Sequence, residues 1–215
     1  MSKKSFLLII ISLTLFFAAC REHPTTVESN KPQPTPDVPN KQDMSNQTMV
    51  NHSEMKTAPN ADKAPFDLQF LDTMSAHHQS AVVMANVALT KANHAELKTF
   101  AEKIIGDQTE EVTQMNEWRK QWFAEQPSAL NLKMSGMSDS MKGMNMKAFD
   151  SLSGNEFDLE FIKQMTAHHK GAVIMAKEAL NKAERPEIKS FAQSIINAQE
   201  AEINQMQEWQ KAWNK

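Results

Sequence analysis

The chain has 215 residues, with 23 Lys and Arg against 26 Asp and Glu, 9 Pro, 5 Gly, one Cys, no Tyr and 15 Met. Few glycines and no tyrosine argue against a β-sandwich or barrel, because those folds need many tight turns and aromatic strand positions. A single cysteine excludes a disulfide framework and a cysteine-rich zinc site, and the near-neutral charge excludes nucleic-acid binding through a basic patch. The methionine content is the unusual feature.

The N-terminus has the pattern of an export signal. Lys3 and Lys4 precede an apolar stretch, residues 5–17, which is shorter than the roughly 20 residues that a transmembrane helix needs. Ala18 and Ala19 then precede Cys20, as in a bacterial lipobox. We predict a signal peptide over residues 1–19 and an envelope lipoprotein held at a membrane through lipidated Cys20. Plain secretion after cleavage behind Ala19, or a short membrane anchor, is the alternative.

Residues 20–64 are rich in proline and small polar residues and predict a flexible tether. The later part of this segment also contains possible soft-metal ligands, namely Met44, Met49, His52 and Met55.

The remainder of the chain is a duplication. Residues 66–123 and 157–214 align without gaps at an offset of 91, and about 30 of 58 positions are identical. Apolar residues follow a three-four spacing in both copies, which predicts two amphipathic helices of about 25 and 30 residues in each. We predict hairpin repeats at 65–123 and 157–215 and a methionine-rich crossover at 124–156. Because neither hairpin can bury its apolar stripe alone, residues 65–215 should form one all-α four-helix bundle.

Several residues indicate where the helices begin and end. Asn93 with Glu96, and Ser153 with Glu156, predict the starts of the second and third long helices. Pro186 suits the first turn of the fourth. The tryptophans at the helix ends are expected to close the bundle core: Trp118, Trp122, Trp209 and Trp213.

A His-His pair lies in the middle of the apolar stripe of each repeat. A buried imidazole needs partners for both ring nitrogens, which here are either ordinary core neighbours or a metal ion. Two copies of Met-x-x-His-His favour the metal. The predicted ligands are Met74, His77, His78, Met84, Met165, His168, His169 and Met175.

Imidazole and thioether donors without a thiolate favour copper, and Cu(I) in particular, over zinc or the oxygen-seeking cations. Methionines in the crossover would serve as exposed auxiliary ligands: Met134, Met137, Met141, Met144 and Met146.

Six residues on the inward stripe of the second and fourth helices are predicted to contact and orient the metal ligands without binding the metal. These are Gln108, Glu111 and Met115, with their repeat counterparts Gln199, Glu202 and Met206. The glutamates are expected to accept hydrogen bonds from the histidines, with a salt bridge to lysine as the alternative. A di-iron carboxylate site is disfavoured because the chain contains no Glu-x-x-His.

The segments FDLQFLDTMSAHHQSAVVMA and FDLEFIKQMTAHHKGAVIMA, each followed by a helix ending in Gln-Met-x-Glu-Trp, resemble a bacterial family of domains of unknown function that includes the CopM-like copper-binding proteins. The resemblance covers both repeats. It implies a ferritin-like four-helix bundle, an envelope location and a role in copper binding or copper resistance.

The sequence therefore predicts an envelope lipoprotein that binds copper for buffering, resistance or transfer, with no catalytic constellation and no nucleic-acid partner. Besides copper, the expected partner is either a protein that receives the copper or a second copy of the chain. Two alternatives stay open: a metal-dependent redox enzyme of the ferritin-like class, and a structural or interaction module whose histidines only pack.

Overall fold

The computed structural model describes residues 55–214. The predicted signal peptide, Cys20, Met44, Met49 and His52 lie outside these residues. After a short 3-10 helix (Ala61–Lys63), the described part contains four long and two short α-helices: α1 (Phe66–Lys91), α2 (Ala95–Phe123), α3 (Met137–Gly143), α4 (Met146–Ser151), α5 (Gly154–Lys182) and α6 (Pro186–Trp213). None of the helices described is both long and apolar enough to span a bilayer.

The predicted all-α bundle is confirmed. Helices α1 and α2 form one hairpin, α5 and α6 form the other, and within residues 55–214 no strand occurs. The helices of each hairpin contain 26 and 29 residues in the first repeat, and 29 and 28 in the second. Pro186 occupies the first turn of α6 as predicted, since its missing N–H has no partner to lose there.

Helices α1 and α5 lie side by side and antiparallel, and an aspartate at the start of each holds the hairpin turn of the other. Asp158 accepts hydrogen bonds from the backbone N–H groups of Asn93 and His94, at 2.9 and 2.8 Å. Asp67, its repeat counterpart, accepts from the N–H groups of Glu184 and Arg185. A carboxylate at a helix N-terminus is favoured by the helix dipole, so these contacts both start the second helix and fix the pairing of the repeats.

This arrangement corrects the predicted start of α2. The N-cap residue is His94, and no side-chain capping bond is made there by Asn93 or Glu96. The negative charge comes instead from Asp158, which is fully buried and distant in sequence. Ser153 is the N-cap residue of α5, although its side chain makes no capping hydrogen bond.

The interior consists of two hydrophobic clusters separated by polar side chains. One cluster joins the end of α1 to the start of α5 and includes Met84, Met165 and Met206. The other joins the start of α1 to the end of α5 and includes Met74, Met115 and Met175. Between them lies a layer that we call the polar layer, made of His77, His78, Ser80, Gln108, Glu111, Ser140, His168, His169, Gln199 and Glu202.

The tryptophans close the two ends of the bundle, as predicted. The indoles of Trp118 and Trp122 stack at 5.3 Å, and Trp118 meets Phe191 edge to face at 5.2 Å. At the other end, Trp209 and Trp213 repeat the stack. These pairs use the large apolar area of the indole to cover cores that would otherwise face water.

The crossover differs from the exposed, flexible segment that its composition suggested. It contains α3 and α4, and Met134 and Met137 are 6 % and 0 % exposed within the second cluster. Met141, Met144 and Met146 are partly buried against the two clusters. Methionine fills irregular gaps in a core well, which explains its abundance in a segment that must cover two packed helices.

The last residues of the predicted tether are also part of the fold. The N–H of Ala58 donates to the carbonyl of Leu130 at 2.8 Å, and the N–H of Leu132 donates to the hydroxyl of Thr57. Met55 is half-buried against the second cluster. Residues 55–64 therefore pack on the segment that leads into α3.

Candidate metal site

The polar layer brings the two His-His pairs together at the centre of the bundle. The rings of His77 and His168 lie 3.7 Å apart between centroids, at an angle of 33°. All four histidines of the pairs are at most 1 % exposed. His77 and His168 occupy equivalent positions in the two repeats, so their contact lies on the approximate two-fold axis that relates the hairpins.

Each ring of this central pair contacts a serine hydroxyl. Ser80 Oγ lies 2.6 Å from His168 Nε2 and donates its own proton to the carbonyl of His77. Ser140 Oγ lies 3.0 Å from His77 Nε2 and donates to the carbonyl of Gly136. Each contact is a hydrogen bond between a hydroxyl and a ring nitrogen, and which of the two donates depends on the tautomer of the ring.

Ser140 replaces a serine that the second repeat lacks. The position equivalent to Ser80 is Gly171. A Cβ atom at Gly171 would lie 1.6 Å from Ser140 Oγ and 2.5 Å from the carbonyl oxygen of Gly136. Glycine thus leaves the space into which α3 inserts its hydroxyl, and Gly136, at φ 86°, makes the close backbone approach.

The outer histidines each contact a glutamate on the second helix of their own hairpin. His78 Nε2 lies 2.8 Å from Glu111 Oε2, and His169 Nε2 lies 2.9 Å from Glu202 Oε2. The predicted contacts between these glutamates and the histidines are therefore present in both repeats. The Nδ1 atoms of His78 and His169 are buried and make no hydrogen bond to a described residue. A carboxylate on Nε2 with a lone pair on Nδ1 is the arrangement in which histidine commonly binds metal ions.

The two glutamates have different neighbours. Lys103 Nζ lies 2.7 Å from Glu202 Oε1, while the position equivalent to Lys103 in the second repeat is Ser194. Burial alone raises the pKa of Glu202, but hydrogen bonds and charge from His169 and Lys103 outweigh it and leave the pKa below its ordinary value. Glu202 is therefore ionised at neutral pH.

The predicted methionine ligands are fully buried, yet each repeat's pair is divided between the two clusters. Met74 shares a cluster with Met175, and Met84 shares the other with Met165. The sequence placed Met74, His77 and Met84 on one face. The antiparallel pairing of α1 and α5 instead associates each methionine with one from the other repeat, on either side of the polar layer.

This donor set suits a soft ion better than a hard one. Among residues 55–214, no three His, Cys, Asp or Glu side chains converge as a metal-binding group. The ligands predicted from the sequence are imidazole nitrogen and thioether sulfur, and thioether ligands select Cu(I). The layer also contains the amide and carboxylate oxygens of Gln108, Glu111, Gln199 and Glu202.

The sequence interpretation missed Ser80, Ser140, Gly171 and the two capping aspartates. The aspartates were visible as the Phe-Asp-Leu that begins both repeats. The serines had no comparable signal, because Ser80 has no serine counterpart at 171 and Ser140 lies in the crossover outside the duplication.

The fold and the site define a helical bundle of duplicated hairpins with paired, buried His-His motifs. The family model for a domain of unknown function, DUF305, matches residues 18–119 and 67–210, and the chain belongs to this family. Among solved structures, Cu(II)-bound CopM is 40 % identical, with a TM-score of 0.60, over 68 % of this chain and 97 % of that one. Cu(I)-bound CopM is 39 % identical, with a TM-score of 0.59, over 69 % and 98 % of the two chains.

A DUF305 protein from Streptomyces coelicolor shares the fold at 26 % identity, with a TM-score of 0.59, and the match covers 70 % of this chain and 94 % of that one. Among curated proteins, none matches the chain.

Proposed function

We propose that this protein is an exported copper-binding protein that holds the ion in its bundle through histidine and methionine. The observation that carries the proposal is the state of the four imidazoles. Serine or glutamate contacts hold the Nε2 atom of every ring, and the Nδ1 atoms of His78 and His169 are buried without a hydrogen bond to a described residue. The four predicted methionine ligands are buried in the two hydrophobic clusters on either side of the polar layer.

Cu(I) is the favoured ion. Thioether sulfur and neutral imidazole are soft and borderline donors, and the one thiol of the chain is assigned to lipidation at Cys20. The ligand set comprises Met74, His77, His78, Met84, Met165, His168, His169 and Met175, with Glu111 and Glu202 orienting the outer rings. CopM has been crystallised with Cu(II), Cu(I) and Ag bound, which supports a soft-ion site in this fold.

The proposed location is the cell envelope, with anchoring through lipid on Cys20. The pattern of residues 1–20 and the secreted description of the Streptomyces coelicolor relative support export. An envelope protein meets copper before the cytoplasm does, so buffering the ion or passing it to a partner fits this place. The partly buried crossover methionines and Met44, Met49, His52 and Met55 would provide transient binding on the way to the bundle.

One observation favours a second function. Because every Nε2 atom of the pairs already has a protein partner, the histidines could act only as the hydrogen-bonded centre of a structural or interaction module. That module would fold identically without metal and would retain no copper.

Metal retention separates the two functions. The chain from residue 20, with Cys20→Ser to remove the thiol, is loaded with Cu(I) under reducing conditions, desalted and titrated against a chromophoric Cu(I) chelator. Copper-binding function predicts at least one retained ion per chain with an affinity tighter than about 1 μM. Complete loss of copper on desalting would support the structural module instead.

A further inference from the structure

A second polar site lies between α2 and α6. It is a cavity of about 200 Å³ that is partly open to solvent. Its lining comes in equivalent positions from both repeats: Asp107, Gln108, Glu110 and Glu111 from α2, and Ala198, Gln199 and Glu202 from α6.

The two glutamines of this cavity are buried without partners. Gln108 and Gln199 are each 2 % exposed, and neither the oxygen nor the nitrogen of either amide makes a hydrogen bond to a described residue. A buried amide without a hydrogen bond is unfavourable, because its polar atoms have lost their contacts with water. Gln164 is buried equally deeply, yet its amide bonds both Asn145 and Glu160. A buried glutamine is therefore hydrogen-bonded elsewhere in this fold, whereas the two glutamines of the cavity are not.

The cavity is also acidic. Four carboxylates line it, and Lys103 is paired with two of them, Asp107 and Glu202. The side chain of Glu111 is 19 % exposed and contacts His78. Negative charge beside unbonded amide oxygens lowers the energy of a cation placed between them.

We propose that this cavity binds an oxygen-seeking divalent cation of the Mg²⁺, Ca²⁺ or Mn²⁺ class, beside the proposed copper ligands and with none of them among its own ligands. Its ligands are the amide oxygens of Gln108 and Gln199 and the carboxylates of Glu111 and Glu202, with water completing the shell. Carboxylate, amide and water oxygens are the donors that these ions take. A cavity of about 200 Å³ has room for an ion with several waters, since roughly 10–15 Å³ is enough to hold one water. The rival occupant is water alone, bridging the amides.

Manganese is the probe because its free form gives an electron paramagnetic resonance signal. The metal-free chain from residue 20, with Cys20→Ser, is titrated with Mn²⁺ in the absence of copper, so the result does not depend on the copper proposal. We expect saturation at one ion per chain, displacement by Ca²⁺ or Mg²⁺, and a dissociation constant of about 0.1–1 mM, as in extracellular calcium modules. Failure to saturate in this range would leave water as the occupant and overturn the proposal.

The matched variants test the ligands. Gln108→Leu combined with Gln199→Leu should weaken Mn²⁺ binding at least tenfold and abolish the rise in melting temperature that Mn²⁺ gives the parent chain. Gln193→Leu, an exposed glutamine of α6, is the control and should bind as the parent does. If the leucine pair fails to fold, Gln108→Asn with Gln199→Asn withdraws each oxygen by one methylene and should also weaken binding. Unchanged affinity in a folded double variant would overturn the proposal.

Discussion

The imidazole rings of His77 and His168 lie 3.7 Å apart between centroids, on the approximate axis that relates the two hairpins. A residue and its repeat counterpart can touch only at such an axis. The contact requires both repeats, because each hairpin supplies one of the two rings. The serines that hold the two rings are nevertheless supplied unequally, one by α1 and the other by the crossover.

Removing this central pair should impair copper binding. His77→Ala combined with His168→Ala is expected to weaken Cu(I) affinity at least tenfold, about 1.4 kcal/mol, measured by competition with a chromophoric chelator. His94→Ala is the control, because His94 stacks on Trp213 and contacts Asp158 outside the polar layer. An affinity equal to that of the parent chain in the double variant would exclude these two rings as ligands.

The aspartates that hold the hairpin turns should dominate the stability of the repeat pairing. Asp158→Ala leaves the N–H groups of Asn93 and His94 without their acceptor, so we expect a loss of about 2–4 kcal/mol in urea unfolding. Asp139→Ala removes an exposed carboxylate and should change the free energy of unfolding by less than about 0.5 kcal/mol. Equal effects of the two substitutions would show that the buried caps contribute little.

The close approach at Gly171 predicts opposite effects for two glycine substitutions. Gly171→Ala places Cβ at 1.6 Å from Ser140 Oγ, so α3 must shift and about 1–3 kcal/mol of stability should be lost. Gly106→Ala meets no atom within 4 Å in the middle of α2 and should gain roughly 0.5–1 kcal/mol. Thermal unfolding measures both.

A compensating change tests the cause of that loss. Gly171→Ser together with Ser140→Gly transfers the hydroxyl from α3 to α5, as α1 has it at Ser80. The pair should recover part of the stability lost in Gly171→Ala, because the contact with Ser140 Oγ disappears while that with Gly136 remains. If the double variant is less stable than Gly171→Ala, the lost stability does not come from the contact with Ser140 Oγ.

Acid should weaken the contact between α5 and the crossover through Glu160. Burial alone raises the pKa of Glu160, but hydrogen bonds from Lys163 and Gln164 outweigh it and hold the pKa below its ordinary value of 4.5. A carboxyl whose pKa is lower in the folded chain stabilises the fold above the ordinary pKa and loses that contribution as the pH falls through the folded value. Glu160→Gln should therefore flatten the decline of stability between neutral pH and about pH 3, whereas exposed Glu125→Gln should leave the decline unchanged. An equally steep decline in Glu160→Gln would contradict this role.

The sequence predicted the features that repeat locally. Three-four spacing identified the four long helices, and the duplicated tryptophans identified the closed ends, because both depend on residues a few positions apart. The same spacing placed the His-His pairs in the apolar stripes. The contacts between the repeats could not be predicted in this way. The spacing along a helix shows which residues are buried, but not which residues of another helix they contact.

The crossover illustrates the limit most clearly. Met134 and Met137 among small polar residues suggested an exposed ligand array, but the groove above α5 buries them and orders α3. Gly171, a glycine inside α5, permits the close approach of Ser140 in α3. The sequence alone gives no sign of this contact. Composition shows that the segment is rich in methionine, but only its tertiary contacts show that these methionines are buried.

X-ray absorption at the copper edge tests the central claim most directly. The Cu(I)-loaded chain from residue 20, with Cys20→Ser, has no thiolate, so sulfur in the first coordination shell can come only from methionine. The account predicts a shell that contains both thioether sulfur and imidazole nitrogen. A shell of oxygen and nitrogen alone would contradict it and place the ion outside the methionine-flanked histidines.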